Sequence, residues 1–305
     1  MAAIRAGFSS LLAPGFANVF RQNMDIKQYP EEYSKVFQLD KSIRQYEEEN
    51  IITGFGTAIA KAERDPTVYD DPIQKDKKRY TFTTYSLGFR VSRELWEDDL
   101  YSVMKQMPEE LAFSMRDVIE VLAAGIFING FTDTAANLGP DGEPLFGDGT
   151  TLTHPLKGGG TYGNQLSVPA DLNVDSLELM LNLIGGQVND RGLLTMARGR
   201  LLIVPTAGQW IAKQLLESEL EAYTANNQTN PFEGLDLKYM VWHYLTDPDS
   251  WFLQAQRHYL KFWWRLRPSF ANGDDFDTDD AKFKSRERED QGYTDWRGIY
   301  GTPGA

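Results

Sequence analysis

Three histidines, 44 acidic side chains and a glycine triplet are the residues of this chain with chemistry to offer. His154, His243 and His258 lie far apart, and none has a partner one helical turn away that would pair it on a metal. There is no His-Glu-x-x-His run and no Gly-x-Ser-x-Gly nucleophile elbow. His154, just ahead of Pro155, reads as a turn residue, and His243 sits in a strand-like aromatic run. The glycines of Lys157-Gly158-Gly159-Gly160-Thr161 lack the order of a phosphate loop and read as a flexible turn. Asp274, Asp275, Asp277, Asp279 and Asp280 resemble half of a calcium loop. Counted from Asp275, however, the sixth residue is Asp280 where glycine is needed, and the twelfth is Arg286 where glutamate is needed. The run reads as a solvated acidic loop. With no cysteine, disulfides, thiolate catalysis and thiolate metal sites are all removed. No carboxylate pair is singled out for acid–base work. Catalytic, cofactor and metal sites are therefore not expected, and neither is an enzyme.

Composition narrows the class further. At 305 residues, 41% hydrophobic and 25% charged, the chain suits a folded protein of one large or two ordinary domains. A formal charge of −13 argues against a general nucleic-acid binder, which carries a basic face. The longest apolar stretch, 118–131, contains Glu120, Gly125 and Asn129 and is too short to span a bilayer. Pro14 and Gly15 interrupt the N-terminal one, so a soluble protein without membrane contact is expected. Five of the seven tryptophans fall between Trp242 and Trp296, a pattern that favours aromatic-rich strands in a core or an interface.

Several elements are long for a compact globule. Residues 1–50 read as an arm, extended or partly helical, whose first 24 residues carry Arg5 and Arg21 and no acid. Two strands follow, 55–62 and 80–91, the second with a change of phase between Phe82 and Tyr85 that suggests a bulge. Between them the charge is segregated. Glu63, Asp65, Asp70 and Asp71 come first, and Lys75, Lys77, Lys78 and Arg79 follow. A long two-stranded ribbon cannot bury its own faces. It is expected to reach a neighbouring subunit, with Arg5, Arg21, Asp70, Asp71, Lys75, Lys77, Lys78 and Arg79 as the contact set. Ser92 then caps a helix that kinks at Pro108, continues through Leu111, Met115, Val118, Ile119, Leu122 and Ile126, and stops near Gly130. Met104, Met107 and Met115 read as core filler. After an irregular stretch, 132–170, an α/β pattern appears: helix 174–188, strand 200–204, helix 206–221, and strands near 237–244, 251–253 and 259–267.

Particular motifs carry a resemblance. They are Thr153-His154-Pro155 with Gly159-Gly160-Thr161-Tyr162-Gly163-Asn164; Leu201-Leu202-Ile203-Val204-Pro205; Tyr244-Leu245-Thr246-Asp247 with Ser250-Trp251-Phe252-Leu253; Phe262-Trp263-Trp264-Arg265; and Asp295-Trp296-Arg297-Gly298 with Tyr300-Gly301. In this order they resemble the Mu-like major head subunit family of tailed-phage major capsid proteins. The resemblance implies an α+β fold of the Hong Kong ninety-seven type. Its parts would be an N-terminal arm (1–50), an extended two-stranded loop (51–91), a peripheral domain with a spine helix (92–170 and 255–305) and an axial α/β domain (171–254). It further implies hexamers and pentamers of this chain in an icosahedral shell around packaged double-stranded DNA, held without sequence-specific binding. Separate scaffold and portal proteins, no cofactor, synthesis in the bacterial host cytoplasm and a place in the virion also follow from it. No long charged helical segment precedes the arm, in keeping with a separate scaffold. A lysine–asparagine crosslink, known in the wider fold, finds no matching set, and Lys75, Lys77 and Lys78 are not assigned to one. Two other readings stay open: a cellular nanocompartment shell of the same fold, and an acidic hydrolase or carbohydrate-binding enzyme.

Overall fold

The computed structural model describes residues 8–25, 31–98, 103–134, 137–219, 229–275 and 280–305. The chain divides into two compact units. One comprises Met1–Glu47, Tyr80–Ala123 and Phe262–Gln291; the other comprises Glu48–Arg79, Ala124–Lys261 and Gly292–Ala305.

The first unit is built on a four-stranded sheet, in the order Gln38–Lys41, Leu260–Asp274, Ala281–Tyr293, Thr83–Val91. Strand 281–293 runs antiparallel to strand 83–91, with Ala281 opposite Val91 and Glu289 opposite Thr83. Helix Phe8–Met24 packs here, although its sequence shows no clean period and contains Pro14. Phe16 and Phe20, one turn apart, explain it. Phe16 meets Phe283 at 5.0 Å and Phe89 at 6.0 Å between ring centres, and Phe20 meets Phe270 at 5.3 Å. Burying each ring is worth about 1.5–3 kcal/mol, enough to offset the ~3 kcal/mol penalty of an interior proline. The segment expected to be a weakly anchored arm is thus a docked helix from Phe8 onward.

The expected single kinked helix is instead two. Ser92 does cap the first, Arg93–Glu97, its Oγ accepting from the Leu95 N–H at 3.3 Å. The second, Gln106–Ile128, begins just ahead of Pro108. A proline ring clashes with the carbonyl four residues upstream, so this helix cannot extend further back. Its missing N–H costs nothing in a first turn. Leu111, Ala112 and Met115 pack around Phe20. On the sheet, Ala281, Phe283, Ser285, Glu287 and Glu289 form one buried face.

The second unit centres on a four-stranded sheet in the order Ile299–Thr302, Trp251–Ala255, Gly199–Val204, Lys238–Val241. The run Leu201-Leu202-Ile203-Val204 pairs parallel with 238–241 and antiparallel with 251–255, so it is a central strand and apolar throughout. Helix Val174–Gly185 starts on a capping box in which Asn173 and Ser176 bond reciprocally. It buries Leu177, Met180 and Ile184 against Leu202, Val204, Trp251 and Tyr300. The helix expected over 206–221 is a short turn, Thr206–Gly208, followed by helix Gln209–Glu217. Residues 220 and 221 lie outside the described residues. Among the described residues, no helix is long and apolar enough to cross a membrane.

The ribbon differs from expectation. Strand Tyr46–Ile52 pairs with Gln74–Thr81, and residues 53–73 form neither strand nor helix, so the strand expected over 55–62 is absent. Tyr46–Ile52 supplies the alternation that 55–62 was expected to supply. The expected strand 80–91 changes partners at Phe82. Up to Thr81 it pairs with 46–52, and from Thr83 it pairs with 281–293. The phase change read as a bulge marks this passage from one sheet to another.

Candidate functional site

The motifs scattered from 153 to 301 meet in the second unit. His154, on the short strand His154–Pro155, is fully buried and not a turn residue. Its Nδ1 lies 2.7 Å from Asp141 Oδ2, and its Nε2 lies 3.3 Å from Asn164 Oδ1. Asn164 is fixed in turn: its Nδ2 donates to the carbonyls of Leu145 and Ile299, and its Oδ1 accepts from the Gly147 N–H. The His154 and Tyr162 rings stack on Trp296 at 4.5 and 5.5 Å, and the Arg297 guanidinium stands 4.7 Å from the same ring centre. Two glycines permit this closeness. The Gly158 N–H donates to the Asp190 carbonyl, where a side chain would collide, and Gly298 (φ +87°) faces the Arg257 carbonyl. The network joins distant segments and holds no nucleophile beside its histidine. His258, burial and Lys261 having pushed it down to about 4, is neutral at pH 7. Among the described residues, no group of three or more potential ligands could hold a metal ion.

Beside it lies a buried charge cluster. Lys75 Nζ is 3.0 Å from Asp295 Oδ2 and 3.5 Å from Asp190 Oδ2, while Arg297 reaches the same two carboxylates at 2.8 and 3.2 Å. Burial opposes the Arg297 charge, but Asp295 and Asp190 outweigh it and raise its pKa further. Two cations against two anions make the cluster internally neutral, which is what burial requires.

The remaining residues of the expected contact set also have partners within the chain. Arg79 donates to Glu48 through Nε and Nη2 at 2.9 and 2.6 Å, holding that carboxyl below its usual range, and Lys77 stands 4.0 Å from it. Lys78 lies over Tyr293 at 5.8 Å. Asp70 accepts from the Gly56 N–H at 2.7 Å and pairs with Arg191 at 3.0 Å, and Arg191 also donates to the Asp71 carbonyl at 2.6 Å. Six of the set therefore gather at the root of the 53–73 segment. Arg21 is exposed in the last turn of helix Phe8–Met24, in the other unit. Arg5 lies outside the described residues. Sequence reasoning missed Glu48 and Asp190, whose roles depend on contacts remote in sequence.

The segment itself is open. Its neck is closed by paired bonds between Thr53 and Ile73. Every residue from 57 to 73 is exposed, including Ile59, Val68 and Tyr69, which is 90% accessible. At its tip the Asp65 N–H donates to the Ala62 carbonyl at 3.2 Å, with Arg64 at φ +70°.

Compared with known proteins, residues 75–301 match the family model described as phage capsid protein. Among solved structures, a chain from Microbacterium phage Oxtober96 is similar, with a TM-score of 0.57 and 10% identity over 91% of this chain and 93% of that one. The capsid of a native GTA particle gives 0.61 and 9% over 90% of each chain. A virus-like particle from Pyrococcus furiosus gives 0.52 and 12% over 95% and 98%. At such identities the likeness is one of fold. No curated protein sequence matches.

Proposed function

Because the chain belongs to the phage capsid protein family, we propose that it is the major head subunit of a tailed bacteriophage or prophage. Copies of it form hexamers and pentamers of an icosahedral shell of the Hong Kong ninety-seven type. The observation that carries this reading is the exposed segment 57–73, whose apolar side chains have no cover within their own subunit. In the vocabulary of that fold the ribbon and segment are the extended loop, helix Gln106–Ile128 is the spine, and the residues ahead of Phe8 belong to the arm. The unit around strand Gly199–Val204 corresponds to the axial domain and the other to the peripheral domain. The Mu-like subfamily is supported by the way its motif residues His154, Asn164, Trp296 and Arg297 converge on one network.

Shell formation needs contacts that are individually weak and many times repeated, and closed symmetry multiplies them. The acidic excess suits a lumen along which double-stranded DNA slides without adhering. Scaffold and portal are separate partners, and the subunit is made in the host cytoplasm before entering the virion. Electron microscopy of the purified chain tests the reading. Shells or hexamer and pentamer rings are expected; small globular particles at every concentration and salt would overturn it.

A further inference from the structure

A groove of about 870 Å³ opens in the second unit where the root of the 53–73 segment meets strands Gly199–Val204 and Trp251–Ala255. Its apolar lining includes Ile52, Leu194 and Met196, which are 66%, 63% and 84% exposed. Arg198 and Arg257 line it as well. They come from adjoining strand ends, Gly199 being paired with Ala255, and both are exposed. Arg257 leans over Tyr259 at 5.7 Å, and among the described residues neither arginine has an ion pair. Apolar side chains and two unneutralised guanidinium groups form one surface, which calls for an occupant that is both apolar and acidic.

The chain carries such an occupant. Ile59, Val68 and Tyr69 are exposed on segment 57–73, and its tip turn presents Glu63 and Asp65, neither of which has an ion pair among the described residues. Arg64 on this tip and Met196 on the groove rim are the two non-glycine residues with positive φ among the described residues. Backbone held in this region costs roughly 1–3 kcal/mol and collects at functional positions. The segment roots beside its own groove, so a tip seated in the groove of the next copy leaves that copy's tip free for another. The contact is head-to-tail and repeats around a ring.

We propose that the arginine-rimmed groove receives residues 57–69 of a second copy, with Glu63 and Asp65 facing Arg198 and Arg257 and with Ile59, Val68 and Tyr69 covering Ile52, Leu194 and Met196. The proposal rests on the shell reading and names the receiving surface within it.

Two charge-reversed variants, E63R/D65R and R198E/R257E, and their combination test it by electron microscopy and sedimentation, with circular dichroism to verify folding. Each reversal alone is expected to cut ring or shell yield by about tenfold at low salt, and the combination to recover most of it. Parent-like assembly of both single reversals, or a combination no better than either, would overturn the pairing. A photo-crosslinking residue at Val68, in mixed heavy- and light-isotope copies, gives a second reading. Crosslinks between copies are expected at 194–200; crosslinks elsewhere sink the groove assignment. This measurement decides the contact even in small oligomers, so loss of the shell reading stays separable from loss of the groove.

Discussion

Glu287 and Glu289 are the least comfortable side chains of the first unit. Both point from one strand into the buried face, and none of their four oxygens has a hydrogen-bond partner. Burial pushes Glu287 up to about 8; burial, then Glu287 and Asp290, push Glu289 up to about 9. The folded state therefore holds protons that the unfolded chain releases above about 4.5. Stability is greatest below that pH and falls as pH rises towards 8–9. E287Q/E289Q is expected to flatten this dependence and to stabilise by about 1–3 kcal/mol near pH 7, read from urea midpoints across pH. An unchanged slope would mean that solvent reaches both acids. The opposite sign belongs to Asp295. D295N leaves Lys75 and Arg297 sharing Asp190 alone, and a loss of about 3–5 kcal/mol is expected. A loss under about 1 kcal/mol would place the cluster in the class of exposed pairs.

At the level of elements, the helix Phe8–Met24 depends on two rings. F20A should cost about 3–5 kcal/mol and expose the helix to limited proteolysis before the rest of the chain is cut; simultaneous cleavage throughout would show that the helix is no separate layer. Deleting residues 57–69 should leave the far-ultraviolet spectrum intact, since they form no regular structure, while assembly is lost. A collapsed spectrum would place the segment in the core. The same elements mark what was legible beforehand. Helix Val174–Gly185 and strand Gly199–Val204 could be read directly, because a helical period and a short apolar run each dictate burial. Residues 55–62 have the composition of a strand too, but composition does not say whether a partner strand is at hand. Phe16 and Phe20 were visible, yet Pro14 and Gly15 hid their spacing. The loop-root charges were recognised as a group, but their counterparts at 190 and 295 lie more than a hundred residues away in sequence. Local pattern cannot select such partners.

For the whole molecule, charge decides how it treats nucleic acid. At a formal −13, without a basic patch in its composition, the purified subunit should leave a DNA duplex unshifted in a gel at physiological salt. A salt-sensitive shift would reveal a cationic surface and end the sliding-lumen picture.

Neither unit is a continuous stretch of polypeptide: each is assembled from three separated segments, and each draws one of them from beyond residue 261. The strand at 281–293 lies inside its sheet, and the strand at 299–302 completes the other. On the ribosome, then, no early portion of the chain can finish a domain and seek partners on its own. Translation itself delays association until nearly all of this sequence has emerged, a timer written into the order of the strands.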